Sequence, residues 1–133
     1  MTTILLAALF ICHFASDFAF TRQRMLIAKS KGWPPFPIME HAAVHAITMS
    51  AAFAIYGIEW KTIGILFLVE WVSHYVIDSI KGLLSRWFPS VGNSRKKAFL
   101  VAYGIDQLLH AFVIIGMWHW AIHGNFKDLT MYL

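Results

Sequence analysis

Four apolar stretches, each about as long as one bilayer crossing, take up most of this 133-residue chain. They run over residues 3–20, 38–58, 62–84 and 98–122, and a helix of about 20 apolar residues covers the ~30 Å hydrocarbon layer of a membrane. The composition agrees, because 59% of the residues are hydrophobic and only 14% are charged, which is too little charge to cover a water-soluble domain of this size. The sequence therefore predicts an all-α integral membrane four-helix bundle, forming a single transmembrane domain over residues 1–133.

The basic residues predict how this bundle sits in the membrane. Two of the three connections between the apolar stretches are basic, and the other is a short turn with Glu59 and Lys61. The basic connections contain Arg22, Arg24, Lys29 and Lys31 in the first and Arg86, Arg95, Lys96 and Lys97 in the third. Since Lys and Arg concentrate in cytoplasmic loops, we expect both termini to lie outside, with the protein in the bacterial inner (cytoplasmic) membrane.

The net charge of +4 is explained by that placement. Basic loops beside apolar helices favour anionic lipid headgroups as partners, and no nucleic-acid motif accompanies them. The single cysteine, Cys12, excludes an internal disulfide and a thiolate metal cage. No Lys or Arg precedes the first apolar stretch, so we expect it to remain as a helix and not to be cleaved as a signal peptide.

Each apolar stretch contains a pair of ionisable residues spaced i, i+4, which places both on one face of a helix. The pairs are His13 and Asp17, His41 and His45, His74 and Asp78, and Asp106 and His110. Charged side chains inside a membrane cost about 3 kcal/mol or more, so they usually mark a functional site. At a rise of ~1.5 Å per residue, all eight lie in the cytoplasmic half in two layers. The shallow layer holds Asp17, His41, Asp78 and Asp106, and the deep layer holds His13, His45, His74 and His110.

The spacing of these pairs also indicates an internal duplication. His13 and His74 are 61 residues apart, as are Asp17 and Asp78, whereas His45 and His110 are 65 apart. The chain is therefore predicted to contain two duplicated helix pairs, related by an axis along the bilayer normal.

Imidazoles and carboxylates gathered at one depth form a mixed nitrogen and oxygen ligand set. Such a set suits a divalent metal, with zinc the first choice and manganese, iron or nickel the alternatives, and soluble di-metal bundles use the same inward-facing arrangement. All eight residues are candidate metal ligands. Because a divalent ion activates water, we predict a metal-dependent hydrolase that takes an anionic or lipidic substrate. Asp106 and Glu70 are the candidate general bases, and Lys81 is the candidate substrate-binding residue.

Other functions fit the same pattern. Polar residues in membrane helices also join neighbouring helices, at about 0.6 kcal/mol per contact, and this explanation suffices for His119 and His123 near the outer end. Buried His and Asp also occur in divalent metal or proton transporters, which with four helices per chain would require a homo-oligomer. Paired histidines can hold haem in an electron carrier. Finally, the polar core could serve only assembly, in a non-enzymatic membrane partner or regulatory protein.

Three motifs carry a resemblance to a known family. HFASDF, HYVIDSIK and DQLLH resemble segments of small bacterial and phage membrane proteins grouped only as a domain of unknown function. In that family a Gln stands four residues after the first Asp, where this chain has Thr21 with Gln23 nearby. A looser similarity links the His and Asp spacings to small membrane proteins labelled metal-dependent hydrolases, which implies a bound metal.

Overall fold

The computed structural model describes residues 2–124, which form four long helices and two short ones. The long helices are α1 (Thr2–Phe18), α3 (Pro35–Ile55), α4 (Trp60–Trp87) and α6 (Lys97–His123), and the short ones are α2 (Gln23–Lys31) and α5 (Pro89–Gly92). The prediction of an all-α protein is confirmed, and each of the four apolar stretches corresponds to one long helix.

Three of the long helices are candidate membrane spans on their own. By length and composition α3, α4 and α6 can each cross a bilayer, whereas α1 qualifies only together with α2, to which it is joined at a bend of 95°. The structure therefore has three candidate spans, or four if the bent pair counts as one. The prediction of four separate spans is therefore supported for α3, α4 and α6, and for α1 only together with α2.

The two basic connections, predicted as loops, each contain a helix. In α2 the buried residues are Met25 and Ala28, Lys29 and Lys31 lie in the last turn, where cations stabilise a helix end, and Gly32 ends the helix at φ 63°. Nine residues are too few to register as a membrane span, and their charges obscured the helical spacing. The predicted boundaries of α3 also shift toward the N-terminus, because Pro35 can occupy the first helical turn.

The four long helices form a ring in the order α1, α3, α4, α6. The pairs α1–α4 and α3–α6 lie on the diagonals, and the neighbours α3 and α4 pack most extensively. The neighbours α1 and α6 have the least contact of the four adjacent pairs. This ring is the arrangement expected for two duplicated helix pairs. The seam between α1 and α6, where these two neighbouring helices meet, is packed less closely than the other three.

The interior of the ring is apolar in one half and ionisable in the other. The buried face of α4 shows the change, since Leu66 is followed at intervals of four by Glu70, His74, Asp78 and Gly82, all buried. The half nearer the α3–α4 turn is an apolar layer, composed of Leu5, Leu9, Met49, Ala52, Phe53, Ile63, Leu66, Ile114 and Met117. The other half, toward the basic connections, contains the ionisable pairs, and we refer to that side of the molecule as the basic end.

Candidate metal centre

The eight predicted ligands come together inside the ring. Seven of them are buried, and the side chain of the eighth, Asp17, is only 9% exposed. The imidazoles pack ring against ring, with centroids 3.8 Å apart for His45 and His74 and 4.1 Å apart for His74 and His110. His13 contacts the same group, 4.8 Å from His45. All four long helices therefore contribute side chains to one cluster.

Asp17 lies on one side of this cluster and faces three imidazoles. Its Oδ1 is 3.2 Å from Nε2 of His41 and 3.5 Å from Nε2 of His45. Its Oδ2 is 3.6 Å from Nε2 of His13.

Asp78 occupies the equivalent position in the second helix pair and also faces three imidazoles. Its Oδ2 is 3.4 Å from Nε2 of His74 and 3.7 Å from Nε2 of His41, and its Oδ1 is 3.6 Å from Nε2 of His110. Asp17 and Asp78 thus have similar surroundings, in agreement with the duplication that their spacing of 61 residues predicts.

Lys29 is a member of the cluster that the sequence analysis missed. Its Nζ lies 3.0 Å from Oδ1 of Asp17, 3.1 Å from Oδ2 of Asp78 and 2.8 Å from Nε2 of His41. The sequence predicts Lys29 only as one of several loop charges that set topology. The spacing of Met25, Ala28 and Lys29 is helical, and that pattern is the signal that would have placed it on a buried face.

A close approach between two helices brings Lys29 to this position. Gly82 of α4 lies against the backbone of Lys29 and Gly32, so closely that a Cβ on Gly82 would clash with both. The absence of a side chain at Gly82 lets the end of α2 lie directly on α4, one turn from Asp78. The ammonium of Lys29 then reaches both duplicated carboxylates.

Hydrogen bonds fix the orientation of His41. The hydroxyl of Thr21 donates to the carbonyl of Ser16 at 2.7 Å, so its oxygen can only accept from Nδ1 of His41, 3.3 Å away. We assign the ring proton to Nδ1, which leaves a lone pair on Nε2 for the Lys29 ammonium to donate to. Thr21 stands where the resembling family has Gln, and here it orients this imidazole.

A carboxylate fixes the orientation of His74 in the same manner. We assign the proton to Nδ1, which donates to Oε1 of Glu70 at 3.1 Å, and Nε2 keeps a lone pair directed into the cluster. Metal-binding histidines commonly donate their second N–H to a carboxylate in this way. Glu70, predicted as a general base, is therefore engaged with His74.

Asp106 lies at the edge of the cluster and has its own cation. Its Oδ2 accepts from Lys81 at 3.1 Å and from the Gln107 amide at 3.3 Å, while Oδ1 is 3.8 Å from Nε2 of His110. Lys81, the predicted substrate-binding residue, thus forms an ion pair with Asp106, and its ammonium also lies 4.9 Å from the centre of the Tyr103 ring.

Many polar atoms of the cluster have no hydrogen-bond partner. Among the residues described, the buried side-chain atoms without one include both ring nitrogens of His13 and of His45, Nε2 of His74 and of His110, Oδ1 of Asp78, and Oδ1 of Asp106. Oδ2 of Asp78 has no hydrogen bond either, but the Lys29 ammonium lies 3.1 Å from it. In proteins, the great majority of buried polar groups have a hydrogen-bond partner. Each neutral imidazole still has one nitrogen with a lone pair, so this many unpaired nitrogens and oxygens in one place indicate a site that could hold a cation.

Three overlapping groups of donor atoms could hold a metal ion, each with its atoms within 4.8 Å of one another. The first is His13, His45, Glu70 and His74; the second is Asp17, His41, His45 and His74; the third is His74, Asp78 and His110. His74 belongs to all three. Asp106, also predicted as a ligand, belongs to none of these three groups.

A cavity of about 250 Å³ leads to the cluster from the basic end. We call it the vestibule. It lies at the weakly packed seam between α1 and α6, and its lining includes Asp17, Lys29, Lys81, Tyr103 and Asp106. Of the three donor groups, only the second contains a residue that lines the vestibule, namely Asp17.

The fold and the site together define a class: a helical protein with three to four candidate membrane spans and a buried cluster of His and Asp that could bind a metal. The chain belongs to the DUF3307 family, described as a protein of unknown function, whose family model matches residues 5–132. Comparisons with curated proteins and with solved structures found no match.

Proposed function

We propose that the cluster binds one divalent metal ion, zinc before manganese, iron or nickel, and that the protein is a membrane-bound hydrolase acting on an anionic or lipidic substrate. The observation that carries the proposal is the set of buried imidazole and carboxylate atoms without hydrogen-bond partners among the residues described. Leaving such atoms unpaired costs about 1–3 kcal/mol each. A cation coordinated by several of them removes that cost.

The charge of the cluster matches a single divalent ion. Four carboxylates lie in or beside it, and two lysines oppose them, which leaves a net charge of −2 when the imidazoles are neutral. The carboxylates are Asp17, Glu70, Asp78 and Asp106, and the lysines are Lys29 and Lys81. Histidine must be neutral to bind a metal. One divalent ion then makes the cluster neutral, whereas two would leave uncompensated positive charge in the membrane.

Asp17, His41, His45 and His74 are the best-supported ligands. Three nitrogens and one carboxylate oxygen are a common tetrahedral set for zinc. The assigned tautomers of His41 and His74 each leave a lone pair on Nε2. Asp17 is the one member of the three donor groups that borders the vestibule. Lys29 would keep its contact with Asp78 while giving up His41.

A bound divalent ion supplies Lewis-acid activation of water, and the residues around the vestibule supply the rest. Asp106 lines the vestibule and has a free Oδ1, so it fits the role of general base better than Glu70, which is buried beside His74 and serves to orient that ring. Lys81 and Lys29 supply positive charge for an anionic substrate. The vestibule admits water to Asp17 from the basic end, which we assign to the cytoplasm.

The apolar layer argues against the transporter alternative. Within residues 2–124 it fills the other half of the ring with side chains such as Leu9, Phe53 and Leu66, each about 1% exposed or less, and a carrier needs a polar path to both sides. The apolar layer therefore favours a site that opens to one side.

The ring contact between His45 and His74 argues against the haem alternative. Axial histidines bind haem from opposite faces of the macrocycle, and these two rings touch each other directly, so no haem fits between them.

Metal content is the direct test. We would purify the full chain from zinc-replete cells and measure bound metal by elemental analysis, in a background carrying His119→Ala and His123→Ala. That background is needed because the exposed pair at positions 119 and 123 lies 4.7 Å ring to ring and could bind metal adventitiously. We expect about one ion per chain, and less than a tenth of that in His74→Ala.

His110→Ala is the matched control, because it removes an imidazole of the same cluster that is absent from the preferred ligand set. It should retain the metal, whereas His41→Ala should lose it. A metal-free parent protein would contradict the proposed function, and metal retention by His74→Ala would contradict the site.

A further inference from the structure

A second cavity lies on the outer surface of the ring, directly behind the ion pair of Lys81 and Asp106. It is a groove of about 170 Å³ between α4 and α6, and we call it the lipid-facing groove. Its walls are Ile77, Ile80, Leu84, Ala102, Ile105 and Leu109, and within residues 2–124 its only ionisable lining residues are Lys81 and Asp106. Ile80 and Ile105 are each 53% exposed, so in a bilayer this groove faces acyl chains.

The lipid-facing groove and the vestibule share Lys81 and Asp106. One ion pair therefore separates a polar cavity that opens at the basic end from an apolar groove that opens to the membrane. A molecule with a polar head and an apolar chain fits both at once. Its head would lie at Lys81 and its chain along α4 and α6.

Between its two aspartates, the stretch of chain that runs from α4 to α6 carries only positive charge. Between Asp78 and Asp106 the sequence has five basic residues and no acidic one. These residues are Lys81, Arg86, Arg95, Lys96 and Lys97. Of the five, Lys81 alone forms an ion pair within the described part of the chain. The first helix pair differs, because there Arg22 and Arg24 both pair with Glu40.

Lys81 can bind a further anion without leaving Asp106. Its ammonium has three N–H donors, and Asp106 is its one hydrogen-bond partner among the described residues. The side chain is 23% exposed. By contrast, Lys29 contacts two carboxylates and an imidazole.

We infer that the lipid-facing groove and the vestibule together bind an anionic phospholipid of the surrounding leaflet, with its phosphate at Lys81 and an acyl chain between α4 and α6. This inference names the substrate class of the proposed hydrolase and in that sense rests on it. The binding itself needs no metal, because Lys81 and the groove residues are outside all three donor groups.

The test measures lipid binding to the full chain in detergent by native mass spectrometry, using phosphatidylglycerol and phosphatidylcholine with identical acyl chains. We expect the parent protein to bind phosphatidylglycerol several-fold more tightly. Lys81→Met should lose that preference through an approximately tenfold loss of affinity, the size of one charge-assisted hydrogen bond. Lys81→Arg, which keeps the charge and the pairing of Asp106, should retain it.

A second pair of variants tests the groove. Ala102→Phe fills the groove and should weaken the binding of both lipids, whereas Ala51→Phe, at an exposed position on α3, should not. Inorganic phosphate at millimolar concentration should fail to displace the lipid. Displacement by phosphate, or equal binding by Ala102→Phe, would overturn the inference, because the site would then recognise phosphate alone.

Metal analysis of the same samples separates the two proposals. A metal-free parent protein that still prefers phosphatidylglycerol through Lys81 would reject the hydrolase while leaving the lipid site standing. A protein with one ion per chain and no preference between the lipids would reject the lipid site alone.

Discussion

At the scale of single residues, the cluster shows what sequence spacing can and cannot predict. Four i, i+4 pairs within apolar stretches were enough to anticipate that side chains from all four long helices meet. The same spacing could not anticipate Lys29, because a lysine outside the spans looks like any topology-setting charge until the helix carrying it is recognised. Glu70 is predicted as a general base. Its i, i+4 spacing to His74 places both on one face of α4, but the spacing does not distinguish a base from a carboxylate that accepts from the imidazole.

Lys29→Met tests how far one lysine stabilises the duplicated carboxylates. The substitution leaves Asp17 and Asp78 without the cation they share, and removing one partner of a buried ion pair costs about 3 kcal/mol or more. We expect the Tm of the metal-free protein in detergent to fall by on the order of 10 °C. Added zinc should raise the Tm of this variant more than that of the parent, because the ion replaces the missing charge and His41 is free to bind it.

Lys31→Met is the control for that experiment, since Lys31 lies in the same helix but is exposed. Its Tm should match that of the parent. Equal losses of Tm in the two variants would mean that Lys29 contributes only a general surface charge.

At the scale of the elements, the long helices were predictable and the short ones were not. In a membrane, a long apolar stretch can satisfy its backbone hydrogen bonds almost only as a helix. The positions of the apolar stretches were therefore enough to predict α1, α3, α4 and α6. In contrast, α2 is held by contacts with α3 and α4, and these exist only in the folded protein. The glycine at position 82 gave no sign in the sequence that another backbone lies against it.

Gly82→Ala tests whether this close approach holds α2 in place. The added Cβ meets the backbone of Lys29 and Gly32, and overpacking of this kind costs about 1–3 kcal/mol. The population of molecules in which α2 is locally open should then rise about fivefold or more. The rate of tryptic cleavage after Lys29 and Lys31 measures that population. Gly64→Ala, also in α4 but with open space around it, should be cleaved at the parental rate. Unchanged cleavage of Gly82→Ala would show that α2 is held elsewhere.

At the scale of the whole molecule, the ring order agrees with the predicted duplication, but the connections within the two helix pairs differ. The equal spacings of 61 and of 65 residues predicted that α1 corresponds to α4 and α3 to α6, and the ring order agrees with this. The two connections differ, because α2 has nine residues and carries Lys29 whereas α5 has four. The vestibule lies where α1 and α6 pack weakly, and residues of both short helices line it.

Orientation in the membrane is the property on which access depends, and it can be measured. The basic end has far more Lys and Arg than the α3–α4 turn, and this bias predicts a cytoplasmic basic end. In a Cys12→Ala background, Glu59→Cys in that turn should react with a membrane-impermeant maleimide in intact spheroplasts. Asn93→Cys, between α5 and α6, should react only after lysis. The reverse pattern would place the vestibule outside the cell, and the phospholipid would then have to come from the outer leaflet.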